Sequence, residues 1–181
     1  MKFWRQRFNN YLLLLLVVCL VPACQTAERK KKKQVSALRV HIEARPDIAE
    51  RTQPVSIFRE NPMIINVDRS PILNEEHVKE VVVEDDMGGF SLRIEFNRQG
   101  SWLLEQYTGS NHGKRLAVFG TFGVETKDSP QKSRWFAAPR ITQRITDGRL
   151  QFTPDASREE ADEFALGLNN AARKLKDLEA D

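Results

Sequence analysis

Seven apolar residues near the C-terminus, Ala161, Phe164, Ala165, Leu168, Ala172, Leu175 and Leu178, recur at steps of three and four or multiples of them. That interval returns each side chain to the same side of an α-helix, so the segment carries one stripe that another layer must cover. Ser157 followed three positions later by Glu160 forms a capping box, in which each side chain takes a backbone N–H at the helix start. Gly167 interrupts the helix at a cost of about 1 kcal/mol relative to alanine. Its presence predicts a close approach between helix and sheet. The stripe is read as core, not as a partner-binding face.

The rest of the chain supplies that sheet. From Val35 to Ile42 the sequence alternates, with Leu38, Val40 and Ile42 on one face. Residues 54–58 and 62–67 are extended runs around the polar break Arg59-Glu60-Asn61. Asn74 is expected to cap a short helix through Lys79, after the Ser70-Pro71 turn. Residues 81–83 and 90–96 read as a hairpin looped at Asp86-Met87-Gly88-Gly89, with Phe90, Leu92, Ile94 and Phe96 inward. Asn97 starts a second helix to about Tyr107, ended by Gly109-Ser110-Asn111-His112-Gly113. Strands are expected at 116–122, 141–145 and 150–152, with a polar loop over 128–132 leading into Trp135-Phe136-Ala137 and Asp147-Gly148 as a tight turn. The fold class is therefore α+β: a mostly antiparallel sheet with about three helices packed on it.

The first 23 residues stand apart. Lys2, Arg5 and Arg7 precede an apolar run from Tyr11 to Val21, and Val21-Pro22-Ala23-Cys24 closes it. A charged head, a short apolar middle and a small residue before the cut make a secretory signal. A membrane-spanning helix needs about 20 apolar residues, and this run is shorter. Plain secretion and a retained anchor are the alternatives. Cys24 directly after the small residue resembles the bacterial lipoprotein signal, which implies an acylated thiol at the new N-terminus and attachment to the membrane. Gln25 is not the aspartate that retains such proteins at the inner membrane in the Gram-negative sorting rule. The resemblance thus implies the periplasmic face of the outer membrane in preference to the inner one.

Residues 24–34 then form a lipidated start and basic linker, ahead of a single domain over 35–178. Arg29 and the four lysines to Lys33 repel one another and stay solvated. They also fit attraction to anionic headgroups, at about 1 kcal/mol per basic residue. From Gln34 onward there are 20 basic and 24 acidic residues, which argues against a nucleic-acid partner. Cys19 leaves with the signal and Cys24 would carry lipid, so the domain has no cysteine. Disulfides, cysteine catalysis and cysteine-bound metals are excluded there.

An ordered set of residues resembles a known family. Leu73-Asn74-Glu75-Glu76-His77-Val78, the strand 90–96, Gly100, Thr108, Gly113-Lys114-Arg115-Leu116-Ala117-Val118-Phe119, Ala138-Pro139-Arg140-Ile141, Asp147-Gly148 and Glu159-Glu160-Ala161 are similar to the head subdomain of the first periplasmic domain of SecD. SecD is an accessory of the bacterial protein-export channel. The similarity covers about residues 62–174. It implies a ferredoxin-like sandwich, and it implies contact with unfolded polypeptides or with export or assembly machinery. Proton-driven export by this chain alone is not expected, because no membrane bundle accompanies the head. Fold alone does not carry function, so the polypeptide-handling role transfers as analogy.

No enzyme is expected. Gly109 to Arg115 has glycines too close together for a phosphate loop and lacks its Ser or Thr. It also follows a helix and precedes a strand, the reverse of the order that aims a helix N-terminus at phosphate. His41, His77 and His112 lack metal-ligand spacing, and Ser110 shows no nucleophile turn. Glu84-Asp85-Asp86 is read as a turn-side acidic cluster. Catalytic residues, metals and cofactors are all expected to be absent, and Cys24, for lipidation, is the one site residue assigned. The expected function is a non-enzymatic envelope lipoprotein that binds polypeptide in export or assembly. The alternative is a structural or interaction lipoprotein with no role in transport. An exposed apolar patch at Trp135 and Phe136 would favour the first, and burial of both rings the second.

Overall fold

Alternating side chains and a striped helix resolve, in a computed structural model, into nine strands and two α-helices among the described residues, which are 34–46, 51–123 and 131–180. In chain order these are β1 Ala37–Ile42, β2 Thr52–Ile57, β3 Met63–Asp68, β4 Leu73–Asn74, β5 Val78–Asp86 and β6 Gly89–Phe96. They continue with α1 Arg98–Ser110, β7 Leu116–Phe122, β8 Lys132–Ala137, β9 Arg149–Phe152 and α2 Arg158–Ala180. All the described residues belong to one compact unit, Gln34–Asp181. The leader, Cys24 and the basic run at 29–33 lie outside the described residues.

Every strand pair is antiparallel. The strands divide among three hydrogen-bonded sheets, ordered β4-β1-β7-β8, β2-β3 and β5-β6-β9. The mixed α+β class and antiparallel pairing are as expected. The helix count is corrected from about three to two. Residues 75–77 form only a single 3-10 turn, and β5 begins at Val78. A segment carrying Val78, Val81, Val82 and Val83 gains more as a β-branched strand against β6 than as a helix.

The expected strand at 141–145 is also absent. Only Arg140 bridges, to Arg115. Ile141 is nevertheless buried and Ile145 packs on the core, so the apolar residues there plug an irregular strap.

The main core lies between two sheets and α2. Leu38, Val40, Leu116, Val118, Phe122 and Phe136 of the four-stranded sheet meet Ala161, Phe164 and Leu168 of α2, all buried. Leu92, Ile94 and Leu150 bring in the three-stranded sheet. The rings of Phe136 and Phe164 stack at 4.6 Å. They fit because Gly120 lies beneath them: a Cβ there would sit 2.4 Å from Phe136 and 2.6 Å from Phe164.

The capping box is present, with Ser157 N donating to Glu160 Oε2 at 3.0 Å and Glu160 N to Ser157 Oγ at 3.2 Å. Gly167 is also explained: a Cβ would lie 2.7 Å from the backbone nitrogen of Ser36 and 2.0 Å from its hydroxyl. The apolar stripe runs past its cover, since Leu178 is exposed.

A second, smaller core lies on the opposite face of the four-stranded sheet. Val55 and Ile57 of β2 and Ile65 and Val67 of β3 cover Ala117 and Ala138, with Trp135 at the edge. This ribbon gives the sheet two covered faces.

Candidate functional site

Period two puts Ala117 and Phe119 of β7 on the ribbon side, opposite Leu116, Val118 and Gly120. His41 of β1 and Trp135 of β8 face the same way. Phe119 and Trp135 touch at 5.2 Å between ring centres, and His41 meets Trp135 edge-on at 5.3 Å. His41 is buried, and its Nδ1–H donates to the carbonyl of Asp68 at 2.7 Å. Burial pushes its pKa down, against the Asp68 carbonyl and carboxylate, which favour the cation.

The ribbon ends over these rings. After Ile57 the chain turns at Phe58, whose φ of 69° is the one left-handed value for a non-glycine among the described residues. A bulky side chain there is strained by about 1–2 kcal/mol, and strain of this kind clusters at working surfaces. The next residue is tied down: Arg59 N donates to Asp155 Oδ2 at 2.9 Å, and its Nε reaches Oδ1 at 3.4 Å. Asp155 N in turn donates to Phe136 O at 2.7 Å. Ribbon tip, β8 and the lead-in to α2 are thus joined around one open cleft.

The cleft has a volume of about 570 Å³ and is lined by Phe58, Pro62, Phe119 and Trp135, with Arg59 and Arg134 at its rim. Phe58 is 38% exposed, and Phe119 and Trp135 are half-buried. Arg134 ion-pairs with Glu160 and lies 5.4 Å from the centres of both Phe122 and Phe136. Burial opposes ionisation of Glu160, but the Ser157 N–H and the Arg134 guanidinium outweigh it and hold the carboxyl below its usual range.

Chemically the surface offers aromatic and proline contacts and a strand edge, the guanidinium groups of Arg59 and Arg134 being taken up by Asp155 and Glu160. Among the described strands, β8 lies at the edge of its sheet.

The sequence expectation named Trp135 and Phe136 together, and the structure separates them. Phe136 is fully buried in the main core, whereas Trp135 lines the cleft. Phe58, Arg59 and Phe119 were not anticipated. The signal for Phe119 was the two-residue period of β7. For Phe58 it was an aromatic residue closing an extended run just before a polar break.

The other singled-out residues lie elsewhere. Residues 109–115 hold the end of α1 and a glycine turn, where His112 Nε2–H donates to Thr142 O at 2.7 Å. His77 Nδ1 accepts from Asn74 N at 3.2 Å. Glu84 and Asp85 belong to β5 and pair with Arg93 and Arg158. Among the described residues no cluster of His, Cys, Asp and Glu could hold a metal, and no helix is long and apolar enough to cross a membrane.

The sequence model described as SecDF, P1 head subdomain, matches residues 50–173. No curated protein matches the chain. A solved structure of SecDF, a membrane component that enhances protein export, is 23% identical with a TM-score of 0.53, covering 82% of this chain and 68% of that one. SecDF in its super-membrane-facing form is likewise 23% identical, with a TM-score of 0.54. That match covers 82% of this chain and 20% of the other, so this chain spans a fifth of that protein. Likeness at this identity establishes a shared fold, and the family match extends over more than half the sequence. The chain belongs to the SecDF P1 head subdomain family.

Proposed function

We propose that this chain is a non-enzymatic lipoprotein of the cell envelope, held by acyl groups on Cys24, whose head binds extended polypeptide in the aromatic cleft. The observation that carries the reading is the half-exposed Trp135 beside Phe119 and the strained Phe58, at the edge strand β8. An incoming segment would place apolar side chains on these rings and backbone groups along a strand edge. Because every base of recognition is either apolar or backbone, such a site tolerates many sequences. SecDF enhances protein export, and a sequence-tolerant polypeptide site suits the same work.

The fully buried Phe136 favours the alternative, a structural lipoprotein, because it shrinks the exposed patch to one indole and its neighbours. Crosslinking distinguishes the two. A photoreactive residue at Ser133, exposed on the cleft wall, should capture exported chains in transit in intact cells. The Trp135→Ala variant should lower that yield several-fold. Capture of only abundant folded envelope proteins, with no effect of Trp135→Ala, would overturn the polypeptide reading and leave the structural one.

A further inference from the structure

A second concavity lies apart from the aromatic cleft, under the strap formed by residues 139–148. The strap has no strand of its own but is fixed at several points. Leu116 N donates to Pro139 O at 2.9 Å, Ile141 N to Lys114 O at 2.8 Å, and Gly113 N to Ile141 O at 2.9 Å. Ile145 N donates to Thr108 Oγ1 at 3.0 Å. These bonds hold the strap over a cleft of about 430 Å³, within the range of small-ligand sites. Its floor is apolar, from Leu116, Ile141 and Leu150, all buried.

Its walls carry Arg140, Arg144 and Arg149. The concentration is local. From Gln131 to Leu150 the sequence has five basic residues and one acid, Asp147, although residues from Gln34 onward are acidic in balance. Arg144 is neutralised by Glu105 at 2.7 Å. Arg149 lies 3.9 Å from Glu95, a carboxylate that Lys79 and Arg93 also use. Arg140 has no carboxylate partner among the described residues. Asp147, the one acid on the wall, has its Oδ1 engaged by Arg149 N at 3.1 Å in the turn. Arg140 thus lacks a carboxylate partner among the described residues, and Arg149 shares Glu95 with two other cations, which leaves net positive charge around one cleft. A planar fork matches a tetrahedral oxyanion bidentately, and two such forks match a dianion better than a carboxylate. Thr142 and Thr146 add hydroxyl donors to the same wall.

We propose that the cleft beneath the 139–148 strap binds a phosphoryl group between Arg140 and Arg149. The group comes either from a soluble phosphate compound or from a phospholipid headgroup, and the two sources share this chemistry. Calorimetric titration of the full-length chain at physiological ionic strength, where diffuse surface charge is screened beyond about 8 Å, tests it. Inorganic pyrophosphate probes the soluble source. Phosphatidylglycerol vesicles, set against phosphatidylcholine ones, probe the headgroup.

Saturable binding of either probe, weakened at least tenfold in the Arg140→Gln/Arg149→Gln variant, is expected. The variant keeps the basic run at 29–33, so loss of vesicle binding reports the cleft. Both arginines are exposed, and an unchanged unfolding midpoint will show that the variant still folds. Arg173→Gln, outside the cleft, should bind as the parent does. Failure of the parent chain to bind either probe overturns the proposal. Equal binding by the double variant, or an equal loss in Arg173→Gln, overturns it as well. None of these outcomes bears on polypeptide capture at Trp135.

Discussion

His41 shows how one side chain can couple the interior to the medium. It is buried beside Trp135, gives its Nδ1–H to the Asp68 carbonyl, and resists taking a second proton because the cation would lose water. The unfolded chain takes that proton near the ordinary imidazole value of 6.5. The folded value is lowered, so below pH 6.5 the unfolded state binds more protons than the folded one. Stability from this group is therefore complete above about pH 6.5 and falls as pH drops from there through the folded pKa. Glu160, also depressed, adds its loss at more acid pH, below its ordinary value of 4.5. Urea unfolding between pH 7.5 and 5 should show the first decline, and His41→Gln should flatten it. An unchanged slope in that variant would assign the decline to another group. Alternation in β1 placed His41 on a polar face, and only the ribbon, which covers that face from far along the chain, buries it. Gly167, in contrast, was legible from sequence: a costly glycine in an otherwise favourable helix needs a close neighbour, and Ser36 is that neighbour.

Among the elements, α2 holds the two layers together through unlike contacts. Phe164 packs against Phe122 and Phe136, and its truncation to alanine should cost about 3–5 kcal/mol in chemical denaturation; a loss under 1 would mean that the stripe is not core. On the other side, Asn169 serves as a substitute strand. Its Oδ1 accepts from Val81 N at 2.9 Å and its Nδ2 donates to Val81 O at 2.8 Å, beside the irregularity between Val78 and Glu80. These bonds occupy one outward pair of backbone groups on an edge strand that would otherwise be open to foreign chains. Asn169→Ala should cost about 1–3 kcal/mol, since it leaves a buried N–H and C=O unpaired. It should also raise amide exchange at Val81 more than at Val118 in the four-stranded sheet. Equal exchange at both would argue for global loosening.

The helix signals at this scale were strong in the sequence, because caps and stripes are local. Asn97 Oδ1 accepts from Gly100 N at 2.9 Å, and Ser157 with Glu160 forms its box. Segments 75–79 and 141–145 misled for the converse reason. What decides them is a partner distant in sequence: β6 claims the first, and the α1 end with the 113–116 turn claims the second.

At the scale of the whole molecule, the head belongs to a family known from an export membrane component, and the proposed membrane attachment of this chain makes a prediction of its own. Two attachments of different physics are available in the sequence. The proposed acyl chains on Cys24 would contribute about 0.8 kcal/mol per buried CH₂ and would be insensitive to salt. The basic run at 29–33 contributes about 1 kcal/mol per residue near an anionic surface and is screened to a Debye length of about 3 Å at 1 M salt. The folded unit, with 20 basic and 24 acidic residues from Gln34 onward, adds no net charge attraction to such a surface. Cys24→Ser should therefore abolish incorporation of labelled palmitate. Any of the variant whose leader is nonetheless cut should remain on membranes only through charge, and a 1 M salt wash should release it. The parent chain should resist that wash and yield only to detergent. Undiminished labelling in Cys24→Ser would place the lipid elsewhere or nowhere, and salt release of the parent would leave charge as its sole tether.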